Sequence, residues 1–61
     1  MENGKSPIAE YVLRQYPGLV FKTGRGFGWK NLDGEIFTFP TENEAAEDVG
    51  LDMGVTLAEA L

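Results

Sequence analysis

The segment LVFKTGRGFGWKNLDGEIFTFP, residues 19–40, decides the fold because it reads as three strands joined by two short turns. Residues 19–23, 27–31 and 35–39 are rich in the β-branched and aromatic side chains that favour strands. Connections this short join only antiparallel neighbours. The segment therefore predicts a three-stranded antiparallel meander.

Glycine marks both turns of this meander. Residues 24–26, Gly-Arg-Gly, supply the backbone freedom that a tight hairpin needs. Residues 33–34, Asp-Gly, are a strong hairpin signal. Pro40 cannot donate to a sheet ladder and ends the third strand.

A helix is predicted before the sheet. Ser6 followed by Pro7 is typical of an N-cap and a first helical residue, and residues 17–18, Pro-Gly, end the helix. Helical spacing places a set of mostly apolar side chains on one face: Ile8, Tyr11, Val12 and Gln15.

Helical signals return after Pro40. Residues 41–44, Thr-Glu-Asn-Glu, match a capping box, and Gly50 is placed to end the helix that follows. Within that helix the spacing turns Ala45, Ala46 and Val49 inward and turns Glu44, Glu47 and Asp48 outward. Residues 56–59 repeat the capping-box pattern and predict a last short helix.

The element order is therefore α-β-β-β-α-α. We expect an α+β fold in which a three-stranded antiparallel sheet carries an N-terminal helix and one or two short C-terminal helices on one face. At 61 residues the chain is expected to form one small domain over residues 1–61, with residues 1–5 as a flexible tail.

Composition argues against catalysis. The chain has no cysteine and no histidine, which removes disulfides, thiolate metal sites and the usual general base. A carboxylate pair acting as acid and base needs a deep cleft, which a chain of this size cannot build. We expect no enzyme activity, no cofactor and no metal. The absence of a long apolar run or a signal-like start predicts a soluble, cytoplasmic protein that does not bind a membrane.

Charge is divided sharply along the chain. The net charge is −5, yet all five basic residues lie in residues 1–30 and eight of the ten acidic residues lie in residues 31–61. Such a division predicts either an interaction surface or an acidic face that only keeps the domain soluble. Carboxylates spaced three and four residues apart on a helix repel one another, so their grouping does not serve the helix. The candidate partner-binding residues are Glu44, Glu47, Asp48 and Asp52, with Asp33 and Glu35 on the sheet turn.

The run Arg25-Gly26-Phe27-Gly28-Trp29 resembles the start of the RNA-recognition signature, and residues 18–39 resemble the corresponding part of cold-shock domains. In those families strand aromatics stack on exposed bases. This resemblance implies, as an alternative function, a small single-stranded nucleic-acid-binding protein that uses Arg25, Phe27, Trp29 and Lys30. The competing interpretation is that both aromatic side chains fill the sheet core under the helices.

In size, charge and overall organisation the chain resembles anti-CRISPR proteins, which are small inhibitors made by phages and other mobile genetic elements. The resemblance implies a DNA mimic that presents carboxylates to a basic nucleic-acid-binding groove of a CRISPR effector complex and blocks DNA binding. It implies a protein–protein interaction in a bacterial cytoplasm without direct contact to nucleic acid, made by a monomer or a weak homodimer. The function expected from the sequence is therefore that of a non-enzymatic, acidic inhibitor.

Overall fold

The structure, a computed structural model, describes residues 6–61. The tail expected over residues 1–5 lies outside the described residues. Within residues 6–61 six elements follow in order: α1 (Pro7–Gln15), β1 (Phe21–Thr23), β2 (Gly26–Lys30), β3 (Ile36–Phe39), α2 (Glu42–Met53) and α3 (Leu57–Ala60). The predicted α+β fold with three antiparallel strands is confirmed.

Local signals set the start of each helix. The Ser6 hydroxyl accepts a hydrogen bond from the Ala9 N–H at 2.9 Å, which caps α1 as predicted. Thr41 caps α2 in the same way by accepting from the Glu44 N–H. At α3 the reciprocal capping box between Thr56 and Glu59 is complete. Each cap satisfies backbone donors that the first turn leaves without a partner.

The sheet is an open meander in the order β1-β2-β3. In the register of β2 with β3, Phe27 lies opposite Phe39 and Trp29 lies opposite Phe37, so these four aromatic side chains share one face. Helix α2 packs on that face against β2 and β3, and α1 packs chiefly against α2.

The core lies between these layers. Trp29 is only 4% exposed, and Phe27 packs against the core from its edge, which confirms that both aromatics fill the sheet face under the helices. The other buried members are small or β-branched: Ala9, Val12, Val20, Ala45, Ala46 and Val49. The predicted inward face of α2 is confirmed. On α1, however, Ala9 is buried and Gln15 is exposed, so the predicted face of α1 is rotated toward Ala9.

The predicted end of α2 is wrong. The helix continues through Gly50 to Met53, and Gly54, at φ +84°, takes the left-handed conformation that ends it. Gly50 is instead buried against α1, where an added Cβ would lie 2.6 Å from Ile8 Cγ2 and 2.9 Å from Val12 Cγ2. Gly50 lets α1 and α2 approach closely. In the sequence, a glycine needed for such a contact cannot be distinguished from a glycine that ends a helix.

Candidate partner-binding surface

A shallow groove of about 340 Å³ lies between β3 and α2. Three of the predicted partner-binding carboxylates line it, together with two apolar side chains: Glu44, Glu47, Asp48, Phe39 and Leu51. We call this set the acidic groove. It is the place where the structure brings the predicted site residues together.

Helix geometry accounts for the acidic side of the groove. Glu44 and Asp48 are one turn apart, and Glu47 is three residues from Glu44, so all three project from neighbouring positions. Glu44 lies in the first turn, where the helix dipole favours negative charge. Helix α2 contains no lysine or arginine, so nothing on the helix itself neutralises these carboxylates.

Asp48 differs from Glu44 and Glu47 because its side chain also makes a hydrogen bond that stabilises the fold. Its Oδ2 accepts a hydrogen bond from the Trp29 indole N–H at 2.9 Å, and the residue is half-buried. The expectation that Asp48 simply faces outward is therefore wrong. A buried indole N–H needs an acceptor, and the carboxylate one turn after Glu44 is the side chain that reaches it.

Asp52 does not line the acidic groove. It lines a second, more apolar depression of about 300 Å³ between the end of α2 and the β2–β3 turn. The remaining lining residues there are mostly apolar or amide side chains: Leu19, Trp29, Lys30, Asn31, Leu32, Val49 and Met53. Asp52 is therefore separated from the acidic groove, although it lies on the same helix.

The two acidic residues predicted on the sheet turn also lie apart. Neither Asp33 nor Glu35 lines the groove. Glu35 is engaged locally, since its Oε1 accepts from the Asn31 amide at 3.2 Å and its N–H donates to Asn31 Oδ1 at 2.8 Å. These bonds close the turn between β2 and β3. Asp33 is exposed at its tip.

The residues proposed for base stacking do not form one surface. Trp29 is buried beneath α2, while Lys30, the next residue on β2, is exposed. Phe27 is half-buried, with Lys22 Nζ 5.7 Å from its ring centroid. Arg25 is exposed at the β1–β2 turn. A stacking platform needs exposed rings beside cations, and neither Phe27 nor Trp29 presents an exposed ring.

Sequence reasoning missed the apolar part of the groove. Leu51, which lines the groove, is 60% exposed on the outer side of α2. Phe37 does not line the groove; it is 39% exposed, and its ring is tilted by 42° to that of Trp29, with the ring centroids 5.2 Å apart. Phe39 follows two residues later on the same face. The available signal was a leucine outside the inward stripe of α2, because exposed apolar side chains beside polar ones mark interaction sites.

Two further features are absent from the described part of the chain. Over residues 6–61 no helix combines the length and the apolar character that crossing a bilayer requires. The same residues contain no group of three or more acidic side chains placed to hold a metal ion, and histidine and cysteine do not occur in the sequence. Comparison of the chain with protein-family models, curated protein sequences and solved structures finds no match.

Proposed function

We propose that this protein is a non-enzymatic inhibitor that binds a basic nucleic-acid-binding groove on another protein. The acidic groove occupies the place that phosphates would otherwise take, and the partner loses access to nucleic acid. Glu44 and Glu47 make the principal contacts in this proposal, and Asp48 contributes its remaining lone pairs while it holds Trp29.

The observation that carries the proposal is the pairing of carboxylates with apolar side chains in one groove. Lysine and arginine have aliphatic stems and charged ends, so they bind best where an apolar surface lies beside a carboxylate. Phe39 and Leu51 supply that apolar surface, and Glu44 and Glu47 supply the charge. A face that only kept the protein soluble would not need an exposed leucine and a half-buried phenylalanine among its acids.

Direct binding to nucleic acid is the less favoured function. Phosphate contacts come from lysine and arginine, and all the charged side chains that line the groove are carboxylates. Net charge of −5 would repel a duplex and attract a basic protein surface. The most concrete partner is a CRISPR effector complex, whose channel binds a nucleic-acid backbone through positive charge.

Charge reversal at one position tests the proposal. Glu47→Lys places a cation in the groove, whereas Glu10→Lys makes the same change in net charge on an exposed position of α1, outside the groove. Binding is measured against a panel of purified CRISPR effector complexes. Inhibition is measured as the loss of their DNA binding when the protein or its variant is added. We expect Glu47→Lys to weaken binding by about a hundredfold and Glu10→Lys by less than about threefold.

The proposal fails if a folded Glu47→Lys protein binds and inhibits as well as the parent. It also fails if the two variants lose affinity equally, because net charge alone would then explain binding. If no effector complex is bound, the CRISPR partner is wrong.

A further inference from the structure

Strand β3 is an edge of the sheet. Its one neighbour is β2, and within residues 6–61 no strand covers its other side. Edge strands present unpaired backbone groups that can template pairing with another chain.

The pattern of hydrogen bonds identifies which groups face outward. The Asn31 N–H donates to the Glu35 carbonyl at 2.9 Å, so this opposed pair is a hydrogen-bonded one. Hydrogen-bonded and non-bonded pairs alternate along an antiparallel ladder, which points the backbone groups of Phe37 and Phe39 toward β2. The N–H and C=O groups of Ile36 and Thr38 therefore point away from the sheet.

The strand is short and Pro40 follows it, but its own side chains give this edge no protection. Natural edge strands carry a lysine, a proline or a bulge that discourages pairing. Residues 36–39, Ile-Phe-Thr-Phe, contain none of these, and their side chains have high strand propensity. Ile36 is 54% exposed and Phe37 is 39% exposed.

The acidic groove determines what could pair there. A strand added to β3 would lie about 4.8 Å away and would send alternate side chains toward the face that α2 covers. Phe39 belongs both to β3 and to the groove, so those side chains would pass Glu44 and Glu47. A second copy of this chain fits poorly, because antiparallel pairing of two β3 edges would bring two sets of carboxylates to the same side.

We propose that the partner docks by adding an extended segment, with lysine or arginine at alternate positions, to the free edge of β3. Its backbone pairs with Ile36 and Thr38, and its basic side chains enter the acidic groove. This inference rests on the proposed function and specifies how the basic partner is held. Strand addition derives affinity from main-chain hydrogen bonds and specificity from alternate side chains.

The direct test uses a synthetic peptide of about ten residues that alternates lysine with valine. A matched peptide alternates lysine with proline, which keeps the charge but cannot pair as a strand. Amide hydrogen exchange is followed by NMR at saturating peptide. We expect the Ile36 and Thr38 amides to slow about tenfold or more with the lysine–valine peptide and to remain unchanged with the lysine–proline peptide.

A backbone variant separates this inference from the proposed function. Thr38→Pro removes one outward N–H at an edge position, which a sheet tolerates, and leaves the acidic groove intact. We expect it to bind the lysine–valine peptide about tenfold more weakly than the parent does. Ile36→Pro removes the other outward donor at the first residue of β3 and provides a second variant. If neither variant folds, the exchange experiment on the parent protein decides.

Three results overturn the inference. One is an unchanged exchange rate at Ile36 and Thr38, with or without peptide binding. Another is equal affinity of the parent for the two peptides. The third is slowing of the same amides with protein concentration alone, together with a dimer mass, since a second copy would then occupy the edge. If folded Thr38→Pro binds as the parent does while Glu47→Lys does not, strand addition is wrong and the acidic-groove function stands.

Discussion

The two sides of α2 meet opposite requirements. Its inner side consists of small or β-branched residues that are at most 2% exposed, Ala45, Ala46 and Val49, beside the buried Gly50. Its outer side combines carboxylates with an exposed leucine: Glu44, Glu47 and Leu51. The inner side has no room to vary because α1 and the sheet contact it closely. The outer side chains contribute little to the fold, so they can contact a partner.

Gly50→Val, on the inner side of α2, should lower the free energy of unfolding more than any other variant proposed here. Even a single methyl group would collide with Ile8 and Val12, and valine adds two more carbons. We expect the free energy of unfolding in urea to fall by about 3 kcal/mol, which a domain this small can hardly withstand. Gly54→Ala provides the control, since nothing lies within 4 Å of its added Cβ and only its φ of +84° is strained. It should cost about 1 kcal/mol.

An unchanged urea midpoint for Gly50→Val would contradict the close contact of α1 with α2. The inner side would then be less constrained than its burial indicates.

Asp48→Ala should have an intermediate effect, because Asp48 lies between the two sides of the helix. The Trp29 N–H would lose its acceptor in a residue that is only 4% exposed. We expect a loss of about 1–2 kcal/mol in the free energy of unfolding, measured by thermal or urea denaturation. Asp48→Asn keeps an acceptor oxygen and should lose less than about 1 kcal/mol.

Glu47→Ala is the matched comparison on the outer side and should stay within about 0.5 kcal/mol of the parent. Equal losses for Asp48→Ala and Glu47→Ala would show that the indole hydrogen bond contributes nothing measurable.

The double variant Glu44→Gln with Glu47→Gln should have the smallest effect on the fold. Removing repulsion between like charges on one helix face compensates for the lost interaction of Glu44 with the helix dipole. We expect the free energy of unfolding to change by less than about 0.5 kcal/mol, while binding to a basic partner weakens about tenfold. Denaturation and titration of the same samples give both numbers. A stability loss above about 1 kcal/mol would mean that the outer side also supports the fold.

Local chemistry explains why much of the fold was predictable. The caps at Ser6, Thr41 and Thr56 act over three residues, and the Asp33-Gly34 turn acts over two, so the sequence shows them directly. Only the part of the site that lies on one face of α2 could be predicted, because helix spacing relates residues of the same helix. Spacing placed Glu44, Glu47 and Asp48 together, but it could not show that Phe39 joins them or that Asp52 lies elsewhere.

The features that escaped prediction depend on contacts between distant residues. Gly50 looked like a helix end because glycine serves both as a stop signal and as a point of close approach, and only the position of α1 distinguishes the two roles. In the sequence Asp48 is equivalent to Glu44 and Glu47. Only the structure shows that it accepts a hydrogen bond from Trp29, nineteen residues earlier.

By itself, the sequence determined the order of elements, the meander, the helix starts and the concentration of acid in residues 31–61. These follow from backbone preferences and short-range periodicity, which need no knowledge of the rest of the chain. Only the tertiary structure decided which acid supports the core, which acids share a groove with apolar side chains, and that the edge formed by β3 lies beside that groove. Those outcomes depend on how α2 lies across β2 and β3, and packing between distant segments sets that position.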